Sequence, residues 1–140
     1  MKIFQQHVQL HEKKRGFHII SSEIMQRVPQ INEFKTGMCQ VFIQHTSASL
    51  ALNENAAPAV RKDFETWFNK AVPENETGFI HQDEGSDDMP AHIKAALLGS
   101  SIMIPVSNGK LALGTWQGIY LCEHRDRGGR RNLVITLWGE

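Results

Sequence analysis

The sequence carries little sulfur, no surplus of either charge and no long apolar run, and each shortage closes off a class of protein. Only two of its 140 residues are cysteine. Cys39 and Cys122 sit inside apolar stretches without CxxC spacing, so they read as buried thiols in a reducing compartment, not as a disulfide framework. Fifteen Lys and Arg balance fifteen Asp and Glu. With a formal net charge of zero, no global field draws the chain to nucleic acid, and any anion site is local. The opening Met1 to His7 lacks the apolar stretch of a signal peptide, and nothing later approaches the ~20 apolar residues of a membrane span. No membrane partner is expected, and a cytoplasmic location follows by elimination. Also missing are the GxxxxGKS or GxxxxGKT phosphate loop, GxGxxG, the GxSxG elbow and HExxH. The enzyme classes those motifs announce lose support.

What is present is ordinary globular composition, 41% hydrophobic and 21% charged, in a length that suits one domain over residues 1–140. Imperfect alternation over residues 3 to 10 and the apolar stretch Phe17 to Ile20 suggest two strands. Ser21, Ser22 and Glu23 are placed to cap a short helix that Pro29 would stop. The β-branched and aromatic run from Met38 reads as a buried strand ending near His45, where the chain turns small and hydroxyl-rich. Asn55 is a candidate cap for a helix with Pro58 in its first turn, since Val60, Phe64, Trp67, Phe68 and Val72 recur at helical spacing. Residues 73 to 88 form an acidic, aperiodic loop, after which Asp87 or Asp88 could cap a helix running from Pro90 to just before Gly99. Asn108-Gly109 between two apolar runs is a hairpin signal, and strands over 119–123 and 133–138 flank a basic turn from Arg125 to Arg131.

Four groups of side chains could carry chemistry. His45, Thr46, Ser47 and Ser49 gather an imidazole and hydroxyls at a strand end, either to contact a substrate or to satisfy backbone groups there. His81 and His92 bracket Asp83, Glu84, Asp87 and Asp88, so nitrogen and carboxylate ligands could converge on a divalent cation; a solvated loop explains the same residues. Asp88 and His92, four apart, share one face of a helix start. Glu123 follows an apolar run, as either an acid or base of raised pKa or the structural partner of an arginine. Arg125, Arg127, Arg130 and Arg131 surround Gly128-Gly129 on a turn that could clamp a phosphate or simply face water.

Three segments, His45-Thr46-Ser47-Ala48-Ser49-Leu50 with Asn53-Glu54-Asn55, Asp87-Asp88-Met89-Pro90-Ala91-His92-Ile93-Lys94, and Gly114-Thr115-Trp116-Gln117-Gly118, resemble in order and spacing the signature segments of the YjbQ-like family. The resemblance runs from Arg15-Gly16-Phe17-His18 to Glu123-His124-Arg125. It implies an α+β, mainly β fold: a mixed or antiparallel β-sandwich with a few helices packed on it, assembled as a homotrimer. It also implies a weak thiamine-phosphate synthase activity, joining hydroxymethylpyrimidine pyrophosphate to thiazole phosphate with loss of pyrophosphate. Such a displacement needs the leaving charge neutralised by a cation and arginines more than it needs a nucleophile. The principal synthases of this reaction resemble TIM barrels of roughly 250 residues, so a chain of this length would have reached the activity independently. Carried onto this chain, the resemblance implies a polar centre at His45, His81 and His92, with zinc or magnesium there as the sharper expectation and no organic cofactor. Glu123 would be an acid, base or supporting partner, and Arg125 the leading anion contact. Ser47, Asn53, Glu54, Asp88, Thr115 and Gln117 would bind a small phosphorylated substrate. A non-catalytic binding protein and a metal-dependent hydrolase are the competing expectations.

Overall fold

Strand pairing in this chain follows its apolar runs. The computed structural model covers residues 1–140. A five-stranded sheet contains β1 (Lys2–Gln9), β3 (Thr36–Ile43), β5 (Ser101–Ser107), β6 (Lys110–Leu111) and β8 (Asn132–Gly139), in the order β1-β8-β3-β5-β6. A three-stranded sheet has β7 (Gln117–Glu123) between β2 (Gly16–Ile19) and β4 (Ala48–Glu54). Every neighbouring pair is antiparallel, which decides between the mixed and antiparallel expectations. The α1 (Ser21–Arg27), α2 (Pro58–Ala71) and α3 (Asp88–Leu98) helices complete the α+β, mainly β architecture, and none is long and apolar enough to cross a membrane.

The core lies between the sheets. Val41, Ile43, Leu133, Ile135 and Leu137 of the large sheet pack with Leu50, Ile119 and Leu121 of the small one, and Ile20 and Ile24 close one side. Strand β7 is buried at every position after Gln117 because its other face is covered too, by an aromatic cluster of Phe17, Phe64, Phe68 and Tyr120 beneath α2. That two-sided burial explains its unbroken apolar sequence. Cys39 and Cys122 are free and buried, and desolvation pushes both thiols up to about 12.

Several local expectations are corrected. The hydroxyl-rich stretch after His45 is not the end of extended structure: β3 stops at Ile43, and Ala48–Glu54 forms β4 against β7. Ala and Ser have weak strand preference, but a buried neighbouring strand that needs a ladder overrides it. No serine side chain caps α1; the Ser21 hydroxyl accepts instead from the Ile119 N–H. The start of α2 is served by Glu54, whose carboxylate accepts from the Ala56 and Ala57 N–H groups, while Asn55 Nδ2 donates to the carbonyls of Thr115 and Gln117. Asp87 occupies the N-cap position of α3, as expected, but its side chain makes no capping hydrogen bond and turns to Arg125 instead. The Asn108-Gly109 turn has both residues at positive φ, 51° and 77°, as a type I′ hairpin requires, but the strand after it is only Lys110–Leu111. Trp67 is 61% exposed, so the apolar stripe of α2 is only partly covered.

Under α2 and α3 lies a polar layer. Lys94, 1% exposed, donates to Asn69 Oδ1 at 2.7 Å, and Arg15 binds the same oxygen and Glu65. Beside it Ser49 Oγ and His124 Nε2 are 2.8 Å apart, and His124 Nδ1 is buried without a partner. Burial, then the nearby Lys94, Arg131 and Arg15 charges, push the His124 imidazole down to about 3. Below pH 6.5 the unfolded chain therefore takes a proton that the folded chain refuses, and stability falls as pH drops toward about 3. This residue alone contributes a slope of at most about 1.4 kcal/mol per pH unit. Chemical denaturation of wild type and His124→Gln across that window should show a shallower acid loss in the variant; parallel curves would refute the assignment.

Candidate metal centre

The site is assembled from the end of β7, the start of β8, the first turn of α3 and the acidic loop. Glu123 is fully buried and forms a two-pronged ion pair with Arg131, Nε to Oε1 at 2.7 Å and Nη2 to Oε2 at 2.5 Å. The pair leaves no room for a side chain at Gly128, where a Cβ would lie 2.2 Å from Glu123 Oε1. Of the two readings open for Glu123, the arrangement is the structural pair. Arg131 also reaches the Ser47 carbonyl and approaches His45 Nδ1 at 3.3 Å.

Between the paired residues the chain loops out and carries Arg125 to the acidic segment. Its Nε donates to Asp87 Oδ2 at 2.9 Å, Nη1 to Asp88 Oδ1 at 2.5 Å and Nη2 to the Glu84 carbonyl at 2.8 Å. The expected leading anion contact is thus already engaged by carboxylates, and the four arginines do not form one clamp. Arg131 is buried in its pair, and only Arg127 and Arg130 are exposed. Asp87 turns to Arg125 and the Asp126 N–H; burial opposes ionisation, but these bonds hold its carboxyl below the usual range.

Asp88 is the hub. Its Oδ2 is 2.6 Å from His81 Nε2 and 3.1 Å from His92 Nε2, and the two rings are 5.6 Å apart between centroids. Burial alone would raise the Asp88 carboxyl, but the hydrogen bond from His81, with His92 and Arg125 beside it, holds it low. The Asp88 hydrogen bond in turn raises His81 above its ordinary 6.5. Glu84, more exposed, sits 3.2 Å from His81 Nε2. His92 Nδ1 donates to the Thr46 carbonyl at 2.9 Å. The neutral His92 ring therefore has its lone pair on Nε2, aimed at a carboxylate oxygen. Two such acceptors face each other favourably only with a proton or a cation between them. One donor atom from each of His81, Asp88 and His92 lies within 4.8 Å of the others, a three-ligand set whose histidine is oriented by a backbone carbonyl.

His45 stands apart from this set. Its Nε2 accepts from the Asn132 N–H at 2.8 Å and Arg131 faces Nδ1, so no lone pair remains for a metal, and burial, then Arg131, lower its pKa. The expected third ligand place goes to Asp88. His45 still shares a cavity of about 310 Å³ with His92, walled by Ala48, Ala95 and Gly99. A second cavity of about 520 Å³, inside the acidic loop, is lined by His81 and Met89. The centre lies between the two. Ser47 is buried and meets Arg131 through its carbonyl. Asn53, Glu54, Thr115 and Gln117 are not brought to the histidines within one chain: Glu54 pairs with Gln117 at the end of β4 opposite Ala48, about 20 Å along the strand. Asn53, Glu54 and Gln117 make local turn and helix-start hydrogen bonds there. The sequence offered an arginine partner for Glu123 without saying which, and the close approach of Gly128 to the carboxylate had no signal beyond the Gly128-Gly129 pair a few residues on.

The family model for UPF0047 YjbQ-like proteins matches residues 6–140. The chain belongs to the YjbQ-like family. The UPF0047 protein YjbQ of Salmonella typhimurium is 50% identical over 137 residues, covering 98% of this chain and 99% of the relative. A UPF0047 protein from Synechocystis is 45% identical, covering 98% and 95%. The crystal structure of an uncharacterized YjbQ/UPF0047 protein from Clostridium acetobutylicum superimposes with a TM-score of 0.82 at 36% identity, over 95% of this chain and 99% of that one. A YbjQ-like protein of unknown function from Sulfolobus solfataricus shares the fold, with a TM-score of 0.86 at 24% identity, over 99% of each chain.

Two outcomes follow from the geometry of this YjbQ-like chain. Gly128→Ala drives a methyl group into the Glu123 carboxylate and is expected to lower stability by about 2 kcal/mol or more in denaturant titration. Because protons compete for His81, whose pKa is raised, zinc affinity should weaken as pH falls from about 8 to about 6. Calorimetric zinc titrations at the two pH values read this directly.

Proposed function

We propose that this chain is a weak thiamine-phosphate synthase in which His81, Asp88 and His92 hold a divalent metal. The observation that carries the reading is the convergence of His81 Nε2 and His92 Nε2 on one Asp88 oxygen, with His92 oriented by the Thr46 carbonyl. Two imidazoles and one carboxylate favour zinc or a similar transition ion over magnesium, which prefers an all-oxygen shell. When bound, the metal supplies charge neutralisation to the leaving pyrophosphate. Arg125 fixes Asp88 through its other oxygen, so the carboxylate keeps one orientation. His45, held as a neutral ring in the cavity beside His92, would contact the uncharged ring of a bound substrate. The exposed Arg127 and Arg130 are the arginines left to meet a phosphate. The homotrimer implied by the family resemblance belongs to the same proposal, and the partly covered α2 face with Trp67 and the exposed Trp116 supports self-association.

A metal-dependent hydrolase is the second reading. Three protein ligands leave coordination positions for water, and Glu84 stands beside His81 as a base.

His92→Ala is expected to lower zinc affinity by more than the 10–100-fold typical of losing an outer contact and to abolish thiamine-phosphate formation, with the thermal midpoint nearly unchanged. Turnover retained in full would overturn the assignment. Product analysis separates the readings: thiamine phosphate with pyrophosphate marks the synthase, whereas a cleaved ester or inorganic phosphate without ring coupling marks the hydrolase.

A further inference from the structure

Across the small sheet from the metal centre, α2 packs on β2 while α3 packs on β4. Between β2 and the start of α2 lies a cleft of about 280 Å³, lined by Arg15, Phe17, His18, Arg61, Lys62 and Glu65. None of these residues belongs to the metal centre or its cavities.

Arg61 is the unusual member. Its Nη1 is buried and has no hydrogen-bond partner, and none of the chain's ion pairs includes it. The guanidinium as a whole is partly exposed and lies beside the Tyr120 hydroxyl, but one buried N–H left without a close partner is costly, so a natural fold normally supplies one. The carboxylates within reach are committed elsewhere. Glu65 is bound by Arg15 and Asn69, and Glu54 accepts from the amides that begin α2. The Tyr120 hydroxyl beside Arg61 donates to the Glu54 carbonyl.

The charge at the cleft is lopsided. Arg15 is matched by Glu65, Glu74 and Asp126, which leaves Arg61 and Lys62 as the lining cations that no lining carboxylate pairs with. His18 adds no acceptor on its Nε2 side, because that nitrogen donates to the Lys14 carbonyl at 2.6 Å. No acidic residue stands in the first turn of α2. One wall is firm: Phe17 is buried and stacks on Phe64 at 5.4 Å. A planar guanidinium with a free edge, a lysine point charge beside it and an apolar wall form a receptor for a tetrahedral oxyanion attached to a small organic group.

We infer that this cleft is a second ligand site, separate from the metal centre, which binds a phosphate group through Arg61 and Lys62. The shared chemistry is the phosphate dianion, whether free or as the monoester end of a small metabolite. The inference is independent of the metal reading, because no side chain is common to both sites.

The test uses the full chain stripped of metal by chelation and then freed of chelator, with inorganic phosphate and glycerol phosphate as separate probes. Thermal midpoint and isothermal calorimetry are followed as each probe is titrated. Wild type is expected to show saturable binding to at least one probe, weakening as salt rises, with the midpoint climbing in step. Arg61→Gln should weaken binding at least 10-fold while its ligand-free midpoint equals or exceeds that of wild type, since a buried N–H without a partner has been removed. Lys62→Gln, at an exposed position, should weaken binding several-fold without altering the fold and keeps the test alive should Arg61→Gln fail to fold. His92→Ala should bind phosphate as wild type does, which separates this cleft from the metal centre. A preference for glycerol phosphate assigns the site to a phosphorylated metabolite, and a preference for inorganic phosphate assigns it to the free ion. No saturable binding of either probe by wild type, or undiminished binding in Arg61→Gln or Lys62→Gln, would overturn the inference.

Discussion

The buried pair between Glu123 and Arg131 is the constraint on which the candidate centre depends. It joins the last residue of β7 to the chain entering β8, and in doing so it closes the intervening loop into a fixed shape. That loop presents Arg125 to Asp87 and Asp88, and Asp88 in turn orients two histidines. Order is thus passed from a pair with no solvent access to a cluster at the surface through successive charge-assisted bonds, each fixing the next. Such a pair is not a large net source of stability, because desolvation offsets most of its attraction, but loss of one partner leaves an uncompensated charge and costs about 3–5 kcal/mol. Its value here is positional.

A chain with no net charge has nevertheless concentrated its charges. Arg15, Glu65, Asn69 and Lys94 tie α2 and α3 to β2, and Arg125, Asp87, Asp88 and the two histidines tie α3 to the β7–β8 loop. Helix α2 in particular rests on these polar contacts beside the partly buried Phe64 and Phe68, since it has no fully buried residue. The consequence is a molecule whose outer layer is sensitive to protonation, while the inter-sheet core of aliphatic residues is not.

The candidate metal centre and the basic cleft proposed for phosphate lie on opposite edges of the small sheet. The β4 edge carries α3 and the histidine cluster, and the β2 edge carries the start of α2 with Arg61. The third group of signature residues, around Asn53, Glu54, Thr115 and Gln117, occupies the far end of the β4–β7 ladder. One short sheet therefore separates three polar regions by strand rise and strand spacing alone, and shared signature segments need not meet in one pocket of one chain.

Period and punctuation in the sequence determined the apolar strands β1, β3, β5, β7 and β8, the helical spacing of α2 and α3, and the I′ hairpin at Asn108-Gly109, because these depend on local backbone preference and side-chain alternation. His81, His92 and the aspartates between them were legible as a metal-type set for the same reason: helical spacing places Asp88 and His92 on one face. Strand β4 was not legible, since Ala48 and Ser49 become a strand only through the ladder that β7 offers. Tertiary structure decided that His81 joins the Asp88–His92 pair while His45 stays apart, that Arg131 is the arginine that pairs with Glu123, and that Arg61 Nη1 is left without a hydrogen-bond partner. Each is a matter of which side chains meet across 7 to 86 residues of sequence or fail to meet, and no local periodicity encodes that.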